Sequence, residues 1–209
     1  MVDKQEGVKK MVRVRAEERR QELIAAASAI IAERGVDELR TREVAAHVGI
    51  THASLHYHFP SKTDLIRAVL DDVIGRQIVQ PVINHDGPVT AAQRLRALLS
   101  TLTNADGQEP QHVVVLKELH RYADRDNAAR ALLEPWLAGW RVFLVDLLAT
   151  GQREGDFRAD LDPAATASVI MLVILGLRLG GVLAPEADQA LADQIHQLLA
   201  PPSAAGLCP

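Results

Sequence analysis

Between Thr41 and Pro60 the chain has room for only two short helices, and Gly49 stands between them. This twenty-residue stretch constrains the fold more than any other. Arg42 to His47 carries Val44 and Ala45 at helical spacing, with Thr41 placed to cap the segment. Gly49 supplies the conformational freedom that a sharp turn demands. Thr51 then caps a second segment running to Tyr57, and Phe59-Pro60 stops it, because a residue before proline is driven out of the α region. Small Ala45 allows close approach of the two segments, and Ile50 and Leu55 give the second an inner edge. A longer helix is expected before the pair, over 17–34. Its Leu23, Ile24, Ala27, Ile30 and Ile31 recur on one side, and Gly35 ends it. Two short helices joined by a glycine turn and braced by a third make a helix-turn-helix.

The second segment is also where the rings collect. Gly49 to Lys62, GITHASLHYHFPSK, holds three of eight histidines, one of two tyrosines and one of three phenylalanines. At about 100° per residue, His52, Ala53, His56 and Tyr57 share an arc turned away from Leu55. Imidazole and phenol on an outward arc suit hydrogen bonding to base edges and phosphates in a major groove. Phe59 is expected inside. Two other readings stay open here. His52 and His56 stand i, i+4, a helical metal-ligand spacing, so a small helical metalloenzyme built on His52, His56 and His58 is one. No Glu lies between them as in H-E-x-x-H, no third ligand is obvious, and no nucleophile or phosphate loop accompanies them. Neither a metal, another cofactor nor an enzymatic activity is therefore expected. A helical module that binds protein partners through its C-terminal half is the other.

The remainder reads as helix throughout. Ser61-Lys62-Thr63-Asp64 is a capping box opening a helix that continues through Leu65, Ile66, Val69, Leu70, Val73 and Ile74 to about Val79. Asn84–Pro88 marks a junction. Beyond it helices are expected over 89–103, 111–123, 126–152 with Pro135 kinking or interrupting it, 162–183 and 186–200. The expected organisation is a basic arm (1–16), a helix-turn-helix domain (17–80), a helical domain (81–200) and a loose tail (201–209). Ala164 to Leu177 is the most apolar run; at fourteen residues it is too short to span a bilayer. The one cysteine, Cys208, leaves no intrachain disulfide, which suits a cytoplasmic location. Net charge is −4, yet residues 1–70 hold 12 basic and 10 acidic side chains, and Lys9–Arg20 holds six basic and two acidic. That asymmetry suits a terminal arm near a polyanion, or a solvated terminus.

Residues 17–74 resemble the DNA-binding domain of TetR-family transcriptional repressors. The resemblance rests on Arg34-Gly35, on Thr41-Arg42-Glu43-Val44-Ala45, on Val48-Gly49-Ile50-Thr51, and on Leu55-His56-Tyr57-His58-Phe59-Pro60-Ser61-Lys62. It covers about a quarter of the chain; the rest is similar in layout alone. It implies an all-α chain with an N-terminal three-helix helix-turn-helix domain and a C-terminal helical ligand-binding and dimerisation domain. It implies that Thr41 and Arg42 reach a phosphate and a flanking base. Thr51, His52, Ala53 and Ser54 would face bases, His52 above all. Tyr57 and His58 would meet the backbone, and Lys62 a phosphate. His56 replaces a tyrosine usual in the family, which leaves base preference open. The implied partners are double-stranded DNA with a palindromic operator, a second copy of the chain and a small-molecule effector that releases the DNA. His112, Leu116, His120, Trp136, Trp140 and Phe143 are the candidate effector pocket. Val169, Val173 and Leu177, on the helix over 162–183 whose apolar sweep is wider than one neighbour covers, and Leu191, Ile195 and Leu198 on the last helix are the candidate dimer face.

Overall fold

A computed structural model describes residues 2–80, 89–102, 110–180 and 185–201, with side chains described for 14–80, 89–100, 110–176 and 190–201. Nine helices occur among the described residues: α1 (Val2–Arg34), α2 (Thr41–His47), α3 (His52–His58), α4 (Lys62–Asp71), α5 (Ala91–Leu102), α6 (Gln111–Ala123), α7 (Asn127–Glu154), α8 (Pro163–Gly180) and α9 (Pro185–Leu199). The chain divides into two compact units, Met1–Ile74 and Gly75–Pro209.

In the first unit α1 packs on α4 and α2, and α2 on α3. Leu23, Ile24, Ala27 and Ile31 of α1 are buried, as are Leu65, Ile66, Val69 and Leu70 of α4. Val44 and Ala45 of α2, Leu55 of α3, and Val36, Leu39 and Phe59 between helices complete that core. The inward side expected for each helix is thus the buried one, except that Val48 and Ile50 are only half-buried. Gly35 ends α1 at φ 86°, its N–H bonded to the Ile31 carbonyl at 2.9 Å. Helix α1 starts at Val2, fifteen residues before the expected bound. The Lys, Arg and Glu of the expected arm are themselves good helix formers. The capping box is present: Ser61 Oγ accepts from the Asp64 N–H at 3.1 Å, and Asp64 accepts from the Ser61 N–H at 3.1 Å. After Asp71 the helix widens into π-type turns over Asp72–Val79.

In the second unit α7 is the hub, in contact with α5, α6 and α8, while α9 packs on α5 and α6 on α8. Pro135 neither interrupts α7 nor is buried; it lies inside the helix on the exposed side. Helix α7 ends at Glu154 with Gly155 as its left-handed cap, and in its last turn Gly151 takes the Phe157 ring and the Ala91 methyl of α5 directly against its backbone. Gln152 Nε2 donates to the Leu161 carbonyl at 2.9 Å and ties down the connection to α8. The expected junction at 84–88 and the tail beyond Pro201 lie outside the described residues. Among the described residues no helix is long and apolar enough to cross a membrane.

Candidate nucleic-acid interface

Helix α2 ends in a turn closed by two backbone bonds, Gly49 N to Ala46 O at 3.1 Å and Ile50 N to Ala45 O at 2.9 Å. Gly49 has φ 71°, a left-handed conformation that glycine adopts without a Cβ penalty. Thr51 caps α3 as expected, its hydroxyl accepting from the Ser54 N–H at 3.1 Å. Leu55 anchors α3 inward, and Phe59, at the C-cap, is buried beneath the Arg20 guanidinium, 5.1 Å above its ring.

The opposite side of α3 stands in solvent. Tyr57 is 85% exposed, Ala53, Ser54 and His56 are exposed, and His52 and His58 are half-buried. Four rings keep each other in place there. His52 and His56 meet edge to face with centroids 4.3 Å apart, and Tyr57 and His58 do so at 5.5 Å. His56 Nδ1 lies 3.1 Å from the Pro60 carbonyl, which only accepts, so Nδ1 carries the proton and Nε2 is the nitrogen left for a partner. His52 Nε2 lies 3.0 Å from the Thr41 hydroxyl. Desolvation, then the neighbouring His56 and Arg42, hold His52 below the ordinary histidine pKa, which favours a neutral ring.

One expected role changes, and Lys62 gains a partner. Thr41 does not cap α2. Arg40 occupies the cap position without a side-chain bond, and the Thr41 hydroxyl is turned to His52 instead. Lys62 is not a free surface cation: its Nζ donates to the Val36 carbonyl at 2.9 Å and pins the start of α4 to the turn after α1. Partial burial first, and Arg40 second, lower its pKa, against the opposing pull of Asp37 and Glu38. Lys62→Met is therefore expected to cost about 1 kcal/mol of stability through the lost bond, besides any effect on DNA affinity. Thermal unfolding measures it; an unchanged melting temperature would show the bond to be idle. Arg42 is exposed beside the His52 ring. The Pro60 and Val36 carbonyls were not legible as parts of this surface, since no side-chain pattern marks a backbone acceptor.

The two C-terminal sets are placed as follows. His112, Leu116 and His120 of α6 and Trp136, Trp140 and Phe143 of α7 are all half-buried, on helices that pack together. His120 Nδ1 donates to the Leu116 carbonyl at 2.9 Å. Its Nε2, and Trp140 Nε1, are buried with no hydrogen-bond partner among the described residues. Of the expected dimer face, Val169 and Leu198 are 59% and 61% exposed, Val173 and Leu191 are half-buried, and Ile195 is buried within its own unit. The side chain of Leu177 lies outside the described residues. Leu172, on the same helix, is 70% exposed.

With that geometry in hand, similarity to known proteins is specific. Residues 23–69 match the bacterial regulatory proteins of the tetR family, and residues 91–200 match the C-terminal domain of BetI-type transcriptional repressors. The chain belongs to the TetR family. It is 32% identical over 149 residues to the HTH-type transcriptional repressor KstR2 of Mycobacterium tuberculosis, covering 69% of this chain and 72% of that one. Among solved structures, a TetR-family transcriptional regulator from Rhodococcus sp. superposes with a TM-score of 0.78 at 26% identity, covering 88% of this chain and all of that one. A regulator from Saccharomonospora viridis in complex with choline gives 0.67 at 25%, over 87% and 93%. As a member of the TetR family the protein is a DNA-binding transcriptional repressor and not an enzyme. The resemblance seen over 17–74 and the all-α architecture both stand.

Proposed function

We propose that the chain acts as a homodimer on a palindromic operator, with α3 of each copy in a major groove, and that a small-molecule effector releases it. The observation that carries the reading is the solvent-facing row on α3, with Tyr57 most exposed, over an apolar underside fixed by Leu55. A core helix has no use for a fully exposed tyrosine flanked by histidines; a groove-reading helix does. In this reading His52 faces a base, Thr51, Ala53 and Ser54 flank it, and Arg42, His56, Tyr57 and His58 meet the backbone. Lys62 meets it while holding the Val36 carbonyl.

Dimerisation is supported by Val169 and Leu172 of α8 and Leu198 of α9, large apolar side chains left in solvent by the single copy. An effector site between α6 and α7 is supported by His120 Nε2 and Trp140 Nε1. Buried polar atoms normally have partners. With Nδ1–H committed to Leu116, a neutral His120 offers an acceptor, and the indole N–H of Trp140 offers a donor. The relative from Saccharomonospora viridis, which holds choline, is a precedent for a small ligand in this fold. A repressor of this kind works in the cytoplasm, where the chromosome is.

Selection of bound duplexes from a random pool by the full chain tests the proposal. The expected motif is a palindrome with half-site centres one DNA turn or more apart. Sedimentation of the free protein should give twice the chain mass. A motif without symmetry, bound by a single chain, would overturn it.

A further inference from the structure

Thr41 and His52 stand eleven residues apart in sequence, on different helices, yet share a 3.0 Å hydrogen bond at the edge of the candidate interface. A threonine hydroxyl has one proton to give and lone pairs to accept with. The bond to His52 Nε2 therefore exists in two forms. In one, Thr41 donates to a bare Nε2, and the neutral ring carries its proton on Nδ1. In the other, His52 Nε2–H donates to Thr41, and Nδ1 is a bare acceptor. Nδ1 makes no hydrogen bond to any described residue, and the two ring nitrogens point away from each other. A ring tied to α2 through Nε2 thus presents Nδ1 on the side away from α2.

DNA decides between the two forms. Phosphate oxygens accept and never donate. Arg42, next to Thr41, is exposed, and on DNA its cation would draw a phosphate to the start of α2. Once the Thr41 hydroxyl donates its proton to that phosphate, it can meet His52 Nε2 only as an acceptor. Nε2 must then carry the ring proton, and Nδ1 becomes a lone pair. In the major groove a lone pair is matched by an exocyclic amine, adenine N6 or cytosine N4. Guanine and thymine offer only acceptors there.

We propose that Thr41 is a positioning residue for base recognition: its hydroxyl, oriented by a backbone phosphate, selects the His52 tautomer whose Nδ1 accepts from adenine or cytosine. This rests on α3 lying in the major groove. In the free protein burial, His56 and Arg42 hold His52 below the ordinary histidine pKa, so the ring starts from the neutral form. The edge-on His56 ring, itself anchored on the Pro60 carbonyl, keeps the imidazole from swinging out of register.

The test compares the full-length wild type, Thr41→Ser, Thr41→Val and His52→Ala in duplex selection from a random pool. Affinities for the wild-type motif and its single-base variants follow. Wild type and Thr41→Ser should both favour adenine or cytosine at one position per half-site, by about five- to tenfold over guanine or thymine. Thr41→Val and His52→Ala should flatten that position and leave the others sharp. Thr41→Val should also bind all sequences more weakly, through its lost phosphate contact. In the wild-type complex, nitrogen-15 shifts of His52 should show Nε2 protonated and Nδ1 bare. Uniform weakening by Thr41→Val with that position still sharp would reduce Thr41 to a phosphate contact and overturn the proposal. So would a wild-type preference for guanine or thymine at the position His52→Ala flattens, or a protonated Nδ1. Failure of the wild type to select any motif would instead sink the docking of α3 itself, and this proposal with it.

Discussion

Gly151→Ala is expected to destabilise the C-terminal unit by about 2 kcal/mol, although alanine is the better helix former by about 1 kcal/mol. Two effects oppose each other in the last turn of α7. The added methyl gains helix propensity. It also lands 2.2 and 2.4 Å from two ring carbons of Phe157 and 3.0 Å from the Ala91 methyl. Phe157 is buried, so its ring has nowhere to swing, and the overlap moves backbone. Overpacking wins. The melting temperature should fall by about 4–8 °C for a chain of this length. Gly151→Ala combined with Phe157→Leu should lose less than the sum of the two single changes, since the smaller side chain vacates the clash. A Gly151→Ala variant as stable as the wild type would contradict the packing of α7, α5 and the Phe157 turn.

The second large effect concerns affinity rather than stability. The triple variant His52→Ala, His56→Ala, Tyr57→Ala is expected to bind a selected duplex on the order of 100- to 1000-fold more weakly. Three lost base or backbone contacts at about 1 kcal/mol each, the low end of the usual range, give that factor. The fold should survive. Tyr57 and His56 are exposed and His52 only half-buried, so no cavity opens. The lost bonds to Thr41 and Pro60 cost about 1 kcal/mol each, offset in part by the helix propensity of alanine. Fluorescence anisotropy, beside a circular-dichroism melt that stays cooperative and falls by only a few degrees, separates the two effects. Near wild-type binding would mean that another surface meets DNA.

The helix-turn-helix was legible because its signals are local. Gly49, the Thr51 cap, Phe59-Pro60 and the Ser61–Asp64 box act within four residues of themselves, and periodicity then turns Leu55 inward and Tyr57 outward. What was not legible depends on partners distant in sequence. Thr41 read as a cap because nothing local announces His52, and the bond from Lys62 to the Val36 carbonyl, 26 residues away, had no local signal either. The start of α1 was missed for another reason: Lys, Arg and Glu serve equally in a solvated arm and a helix. On α8 the apolar sweep was plain, but its division was not. Ala167, Ile170 and Ile174 are buried, whereas Val169 and Leu172 are exposed, and the packing of α7 and α6 on α8 decides which is which.

The central claim is that α3 enters the major groove. Methylation interference on a selected duplex reads the groove itself, because guanine N7 lies in the major groove and adenine N3 in the minor. N7 methylation is expected to block binding in two clusters, symmetric about the operator centre and one helical turn or more apart. Interference confined to adenine N3, or absent at every guanine, would contradict it.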